Sequence, residues 1–191
     1  MNAAELQQTL LDWSVKHSGY EDHRNYIGLS GIGDCPKIIF RRYFNSSVIQ
    51  VKEHLRTRYS YEIEGIIKER LRKMGILAIG KDISAHLGRV QGHVDGVVAG
   101  KLLEIKTVPL AVDLPFVRIP WKVYWQVQGY MHFGGYDETL IIYFARADGT
   151  FRTFEVLADP MVAVEMDAKI KSILECIDRR LPPICECGRC A

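Results

Sequence analysis

The chain has 191 residues, 48% hydrophobic and 25% charged, with a formal net charge of +2. That length suits one domain with a sizeable core, and the composition is ordinary for a soluble globular protein. No apolar run approaches the ~18–20 residues that span a bilayer, and no basic segment followed by an apolar one opens the chain, so a cytoplasmic protein without a membrane partner is expected. Leu6, Leu10 and Trp13, with His17, mark an amphipathic N-terminal helix, followed by a polar break through Gly19–Asn25. Asp34-Cys35-Pro36 opens a second helix to about Tyr43, with Asp34 as cap and Pro at an early position. A longer helix runs from about Glu53 to Met74 and stops at Gly75. Strands follow near 76–87, 90–98 and 101–107; Pro109, Pro115 and Pro120 then punctuate a loop before a helix over about Trp121–Phe133. Strands near Thr139–Arg146 and Phe151–Leu157 flank Asp148-Gly149, a hairpin signal, and Asp159-Pro160 starts a final helix to about Arg180.

There is no internal repeat. The element order predicts one α/β or α+β domain over 1–191, with a helical appendage (1–25), a helical segment (26–75), a core (76–158) and a C-terminal helix with a cysteine tail (159–191). Charge is uneven. From Lys37 to Lys73 there are ten Lys and Arg residues against four Glu, a local excess of six that suits a polyanionic partner and equally suits a solvated helix surface.

Asp95 to Thr107 is the most informative stretch. Two β-rich runs meet at Ala99-Gly100, a link short enough for a tight hairpin. If those residues form the loop, Val98 pairs with Lys101 and Asp95 falls opposite Glu104, where like charges roughly 4.5–5.5 Å apart at Cβ are unfavourable without a counter-charge. A divalent cation is a natural one. Lys106 shares the face of Glu104 by period-2 alternation. The flanking residues, Val94, Val97, Val98, Leu102, Leu103 and Ile105, are strongly apolar, which favours a cleft over a surface hairpin with scattered charges. His93 shares a strand face with Asp95, and the same register sets it opposite Lys106, as a phosphate contact or as a structural histidine.

Asp95 followed by Glu104-Ile105-Lys106 resembles the core motif of the PD-(D/E)XK nuclease superfamily. Two further features are similar to its RecB-type exonuclease branch: Gln126 and Tyr130 as Q-x-x-x-Y on the next helix, and Gly65-Ile66-Ile67-Lys68-Glu69 as an upstream G-x-x-x-E helix. The resemblance spans about Cys35 to Cys190 and implies a restriction-endonuclease-like core, a central mixed β-sheet flanked by helices. It implies Mg²⁺ or Mn²⁺ held by Asp95, Glu104, the Ile105 carbonyl and Glu69, with Glu62 in reserve and Glu64 a further alternative. Glu62, Gly65 and Glu69 share one helix face, and Gly65 would let another backbone come close.

The chemistry suits these residue types. Phosphodiester hydrolysis needs a polarised phosphoryl oxygen, an activated water and a stabilised leaving oxygen, and hard cations with oxygen ligands supply the first and third. Lys106 would orient or help deprotonate the water, a base role that requires the neutral amine. Gln126 and Tyr130, one turn apart, would contact the substrate backbone; the bland alternative packs Tyr130 into the core. Trp121, Lys122, Tyr124 and Trp125 open the same helix and offer rings for base stacking, while Arg41, Arg42 and Arg118 would track phosphates. Aromatic residues on a helix are, however, more often core.

Cys185, Cys187 and Cys190 crowd the last residues as C-x-C-x-x-C, and clustered thiols in an intracellular protein read as a metal site more readily than as disulfides. With Cys35 they resemble a subgroup of the same nucleases, including CRISPR-associated adaptation nucleases and AddAB-type helicase–nucleases, in which four cysteines hold a [4Fe–4S] cluster joining the chain's ends. The triplet is tighter than that subgroup's usual spacing, and Cys₄ also suits Zn²⁺; free or disulfide-linked thiols are the third possibility. Cys176 reads as a small core residue.

The expectation is therefore a metal-dependent DNA exonuclease, encoded by a bacterium, archaeon or phage, acting on single-stranded DNA or DNA ends and stabilised by an iron–sulfur cluster. Its partners could include a second copy or a recombination or integration complex. The alternatives are a CRISPR spacer-acquisition nuclease that trims prespacer ends, and a non-catalytic DNA-end-binding subunit with the same fold.

Overall fold

The computed structural model describes residues 25–44, 51–78, 80–113 and 118–184, with positions 5, 8 and 9. Most of the expected N-terminal helix, and Cys185, Cys187 and Cys190, lie outside the described residues. The elements run β1 (Ile27–Gly28), α1 (Pro36–Phe44), α2 (Val51–Lys73), β2 (Leu77–Ala78), β3 (Asp82–Ala85), β4 (Val90–His93), β5 (Gly96–Val98), β6 (Lys101–Val108), α3 (Trp121–Gly134), β7 (Glu138–Ala145), β8 (Phe151–Leu157) and α4 (Pro160–Arg179). No helix among the described residues is long and apolar enough to cross a membrane.

The architecture is the expected mixed sheet flanked by helices. Five strands are ordered β2-β5-β6-β7-β8, with β6 and β7 parallel and the other neighbours antiparallel. A parallel pair needs a long crossover, and α3 supplies it. Leu102 to Ile105 are consecutively buried in β6, as a central strand covered on both faces requires. Val127 and Met131 of α3, Ile141 of β7, and Met166, Ile170 and Ile173 of α4 fill the core on the helical side. Asp159 caps α4, its side chain accepting from the Met161 and Val162 amides.

The Ala99-Gly100 hairpin forms as the sequence predicts. Both residues have positive φ, 49° and 82°, the pattern of a two-residue type I′ turn. Val98 pairs with Lys101 and Gly96 with Leu103, and the Asp95 amide donates to the Leu103 carbonyl at 3.2 Å. Asp95 therefore falls level with Glu104.

The strands expected at 76–87 and 90–98 are each broken, and the break matters. β2 pairs with β5 in the large sheet, while β3 pairs with β4 in a separate sheet ordered β1-β4-β3. Leu77↔Val98 and Ala85↔Val90 belong to one unbroken antiparallel register, so a single long hairpin is bent between two sheets. Extending that register sets Gly80 opposite Asp95 at the bend. A Cβ on Gly80 would run into the Val94 carbonyl oxygen, so glycine lets the two backbones cross this closely.

Asp34 differs from its expected role as a helix cap. Its carboxylate, 7% exposed, instead accepts from Arg42 at 2.7 Å and pairs with Lys122, joining α1 to the start of α3. Lys169 of α4 donates to the Ile32 and Asp34 carbonyls at 2.6 and 2.7 Å, with its ammonium 4.8 Å from the centre of the Trp125 ring. Burial works to raise the Asp34 carboxyl, but hydrogen bonds and charge from Lys122 and Arg42 outweigh it and hold it below its ordinary value. A depressed carboxyl adds stability that is fully present above its unfolded value and is lost as pH falls through the folded one. Asp34→Asn should thus lower stability near neutral pH by about 1 kcal/mol, the partners being half exposed. Urea unfolding followed from pH 7 to below 4 should show a weaker acid-induced loss in the variant than in the wild type.

Candidate active site

One cavity of about 510 Å³ lies where α2 crosses β6 beside the bend in the long hairpin. Asp95, Glu104, Ile105, Lys106, Gln126, Tyr130 and His93 all line it, so the carboxylates open on the same side of the sheet. Glu64 and Lys68 enter from α2, which is fixed to β6 by a hydrogen bond from the Thr107 hydroxyl to that of Ser60 at 2.8 Å.

Asp95 is oriented by the strand opposite. Its Oδ2 accepts from the Ile105 amide at 2.7 Å, and its Oδ1 lies 2.5 Å from the Lys68 ammonium. A residue in a strand directs its N–H and C=O to the same side, so the Ile105 carbonyl also faces Asp95. Glu104 is 3% exposed, and its Oε1 is held by Lys106 at 2.6 Å and by the Gln126 amide nitrogen at 2.8 Å. Gln126 closes the set: its oxygen accepts from Lys106 at 2.9 Å and its nitrogen also donates to the Tyr130 hydroxyl at 2.7 Å.

Burial, reinforced by the charge of Asp95, pushes the Glu104 carboxyl up to about 7 against the pull of Lys106. Glu64 is likewise raised to about 7, by burial first and then by Asp95. Burial acts to lower Lys106, but the charges of Glu104 and Asp95 and the hydrogen bond to Glu104 outweigh it and hold the amine above its ordinary value. Tyr143, next to Lys106 on β7, is pushed up to about 12 by burial and by Glu104. Carboxylates this costly to ionise suit a cation that joins them.

The donor set fits a hard metal ion. It is all oxygen, from Asp95, Glu104, Glu64 and the Ile105 carbonyl, and Mg²⁺ keeps several waters and needs only one or two carboxylates. Among the described residues no three carboxylate, histidine or cysteine groups enclose an ion as they stand, and Lys68 and Lys106 pair with Asp95 and Glu104.

Asp95, Glu104, Ile105, Lys106, Gln126 and Tyr130 thus come together as expected, and the other sequence candidates divide. Glu69 does not line the cavity; its carboxylate is 55% exposed and faces Arg72 and Lys73 at 3.8 and 3.6 Å on its own helix. Glu64, five residues earlier, is the α2 acid that reaches the site. Glu62 is exposed outside the cavity, and a Cβ on Gly65 would meet nothing within 4 Å, so among the described residues no backbone approaches there. His93 lines the rim but is not opposite Lys106: the chain bends at Val94–Asp95, and His93 pairs with Asp82 of β3 at 2.6 Å. Trp125 is 6% exposed, packed in the core under Lys169, and offers no open face to a base. Arg42 and Lys122 are engaged by Asp34, whereas Arg41 and Arg118 are exposed. Trp121 is 60% exposed and stacks on Tyr124 with ring centres 6.1 Å apart. Cys35 is half-buried just before α1, and Cys176 packs against the core as expected.

Glu64 and Lys68 were legible as an acid–base pair one turn apart, but Glu69–Lys73 has the same spacing, so spacing alone could not choose between them.

No family model and no curated protein matches the sequence. In fold, the chain is similar to an alkaline exonuclease from Laribacter hongkongensis, LHK-Exo, at 13% identity over 88% of this chain and 93% of that one, with a TM-score of 0.62. LHK-Exo in complex with dAMP aligns at 12% identity over 82% of this chain and 89% of that one, with a TM-score of 0.61. SSO0001 aligns at 14% identity over 97% of this chain and 93% of that one, with a TM-score of 0.58. The α/β core described above is therefore a fold that exonucleases also have.

Tyr130 packs closely against Gly92, where a Cβ would sit 2.6 Å from a ring carbon and 2.9 Å from Leu29. Gly92→Ala should cost about 1–3 kcal/mol of stability by overpacking. In a Tyr130→Ala background the same change should cost less, a non-additivity that a double-mutant cycle by urea unfolding measures.

Proposed function

We propose that the protein is a metal-dependent nuclease, hydrolysing phosphodiester bonds of DNA at single-stranded regions or ends. The observation that carries this is the convergence of Asp95, Glu104, Lys106, Gln126 and Tyr130 on one cavity, with the lysine and the amide locked to Glu104. The exonuclease fold of the relatives supports the same reading, and the dAMP bound by LHK-Exo supports DNA as the substrate class.

Mg²⁺ or Mn²⁺ would be held by Asp95, Glu104, the Ile105 carbonyl and Glu64, the last in place of Glu69. When bound, it would polarise the phosphoryl oxygen and acidify a water. The chain's own groups do the rest. The Ile105 amide fixes the rotamer of Asp95. Gln126 holds Lys106 against Glu104, which sets the ammonium where it can orient an attacking water. Exposed Trp121, stacked on Tyr124, offers a platform for a base of the departing strand, and Arg41 and Arg118 remain open to phosphates.

Cleavage of end-labelled single- and double-stranded oligonucleotides with Mg²⁺ or Mn²⁺ tests the reading. Asp95→Ala, Glu104→Ala and Lys106→Ala should each lose activity by about 10²–10⁴-fold, and Gln126→Ala by about 10–100-fold as a supporting group. Activity surviving in all three of the first set would defeat the proposal.

We also propose that Cys35 joins Cys185, Cys187 and Cys190 in a structural [4Fe–4S] cluster, with Zn²⁺ as the alternative. Few apolar side chains follow Pro183, so a staple is the available way to order that tail. Anaerobically purified protein should show broad visible absorption with stoichiometric iron and sulfide. Zinc in their place would assign the alternative, and neither metal would remove the clasp.

A further inference from the structure

Asp95 has two carboxylate oxygens, and each already has a partner. Oδ2 is taken by the Ile105 amide, a backbone contact that the hairpin fixes. Oδ1, the oxygen left for a cation, is the one that Lys68 holds at 2.5 Å. The two lysines of the site are not equivalent. Lys106 belongs to the wall: it rises from the central strand and is gripped by both Glu104 and Gln126. Lys68 comes from the facing helix on a flexible four-carbon stem, one turn beyond Glu64. It lines the same cavity as Glu64 and Glu104 and pairs with Asp95, so it stands among all three site carboxylates.

Resting on the metal-site reading above, we infer that Lys68 is an internal cation that competes with the catalytic metal for Oδ1 of Asp95. Ammonium and metal repel each other at such range, so the ion enters only as Lys68 withdraws. The same contact balances the charge of Asp95 while Lys68 is in place. Lys68 is thus a positioning residue that sets the metal concentration at which the site fills.

Isothermal titration with Mn²⁺ alone, without DNA, reads this directly. Lys68→Met keeps the length and removes the charge; it should bind Mn²⁺ at least about fivefold more tightly than the wild type, the lower end of ordinary site-to-site coupling. Lys68→Arg should stay near wild type, and Lys68→Gln should behave like the Met variant if the latter folds poorly. In EDTA, Lys68→Met should melt below the wild type, and saturating Mn²⁺ should raise its melting temperature more than it raises that of the wild type. Unchanged or weaker Mn²⁺ binding in both neutral variants would overturn the competition while leaving the metal site standing. If the wild type and both neutral variants bind no Mn²⁺, the metal site fails and the competition with it.

Discussion

The site depends on one hydrogen bond, from the Ile105 amide to the Asp95 carboxylate. It is a contact between neighbouring strands, and it turns an acid at a hairpin bend into a fixed ligand position. Asp95 gains a set direction from it, and the Ile105 carbonyl is brought to the same side by strand geometry. Glu104, the neighbour of Ile105, is then buried with its own lysine and amide. Charge-assisted bonds of this kind are short and strong, which suits a group that must hold its place while charges change around it.

The bend that makes this possible is a property of two glycines rather than of the acids. Gly80 lets the returning strand pass beneath Val94 and Asp95, and Gly92 lets Tyr130 lie against the small sheet. The long hairpin keeps a single register yet contributes to both sheets. The catalytic candidate therefore sits at the junction where one sheet ends and another begins, with its backbone held from both sides.

Much of this was legible in the sequence, for identifiable reasons. The Ala99-Gly100 turn fixed the hairpin register, and the register set Asp95 level with Glu104. Helix ends followed from Gly75 and from Asp159-Pro160, where local chemistry decides the outcome. What escaped depends on long-range packing. Asp34 has the local signature of a cap, but Arg42 and Lys122 outbid the helix amides for it. Trp125 and Trp121 are one turn apart, and nothing in their spacing says which is buried. The choice of Glu64 over Glu69 turns on the rotation of α2 about its axis, which the sheet sets and the helix alone does not.

The anchoring of Lys169 bears on how α1 is seated. By holding the Ile32 and Asp34 carbonyls, it moors the segment leading into Cys35 on the middle of the last helix. Those two carbonyls precede the first turn of α1, so the start of that helix takes its position from a side chain more than a hundred residues away in sequence. Any shift of α4 would be passed to α1 and, through Asp34, to the opening of α3.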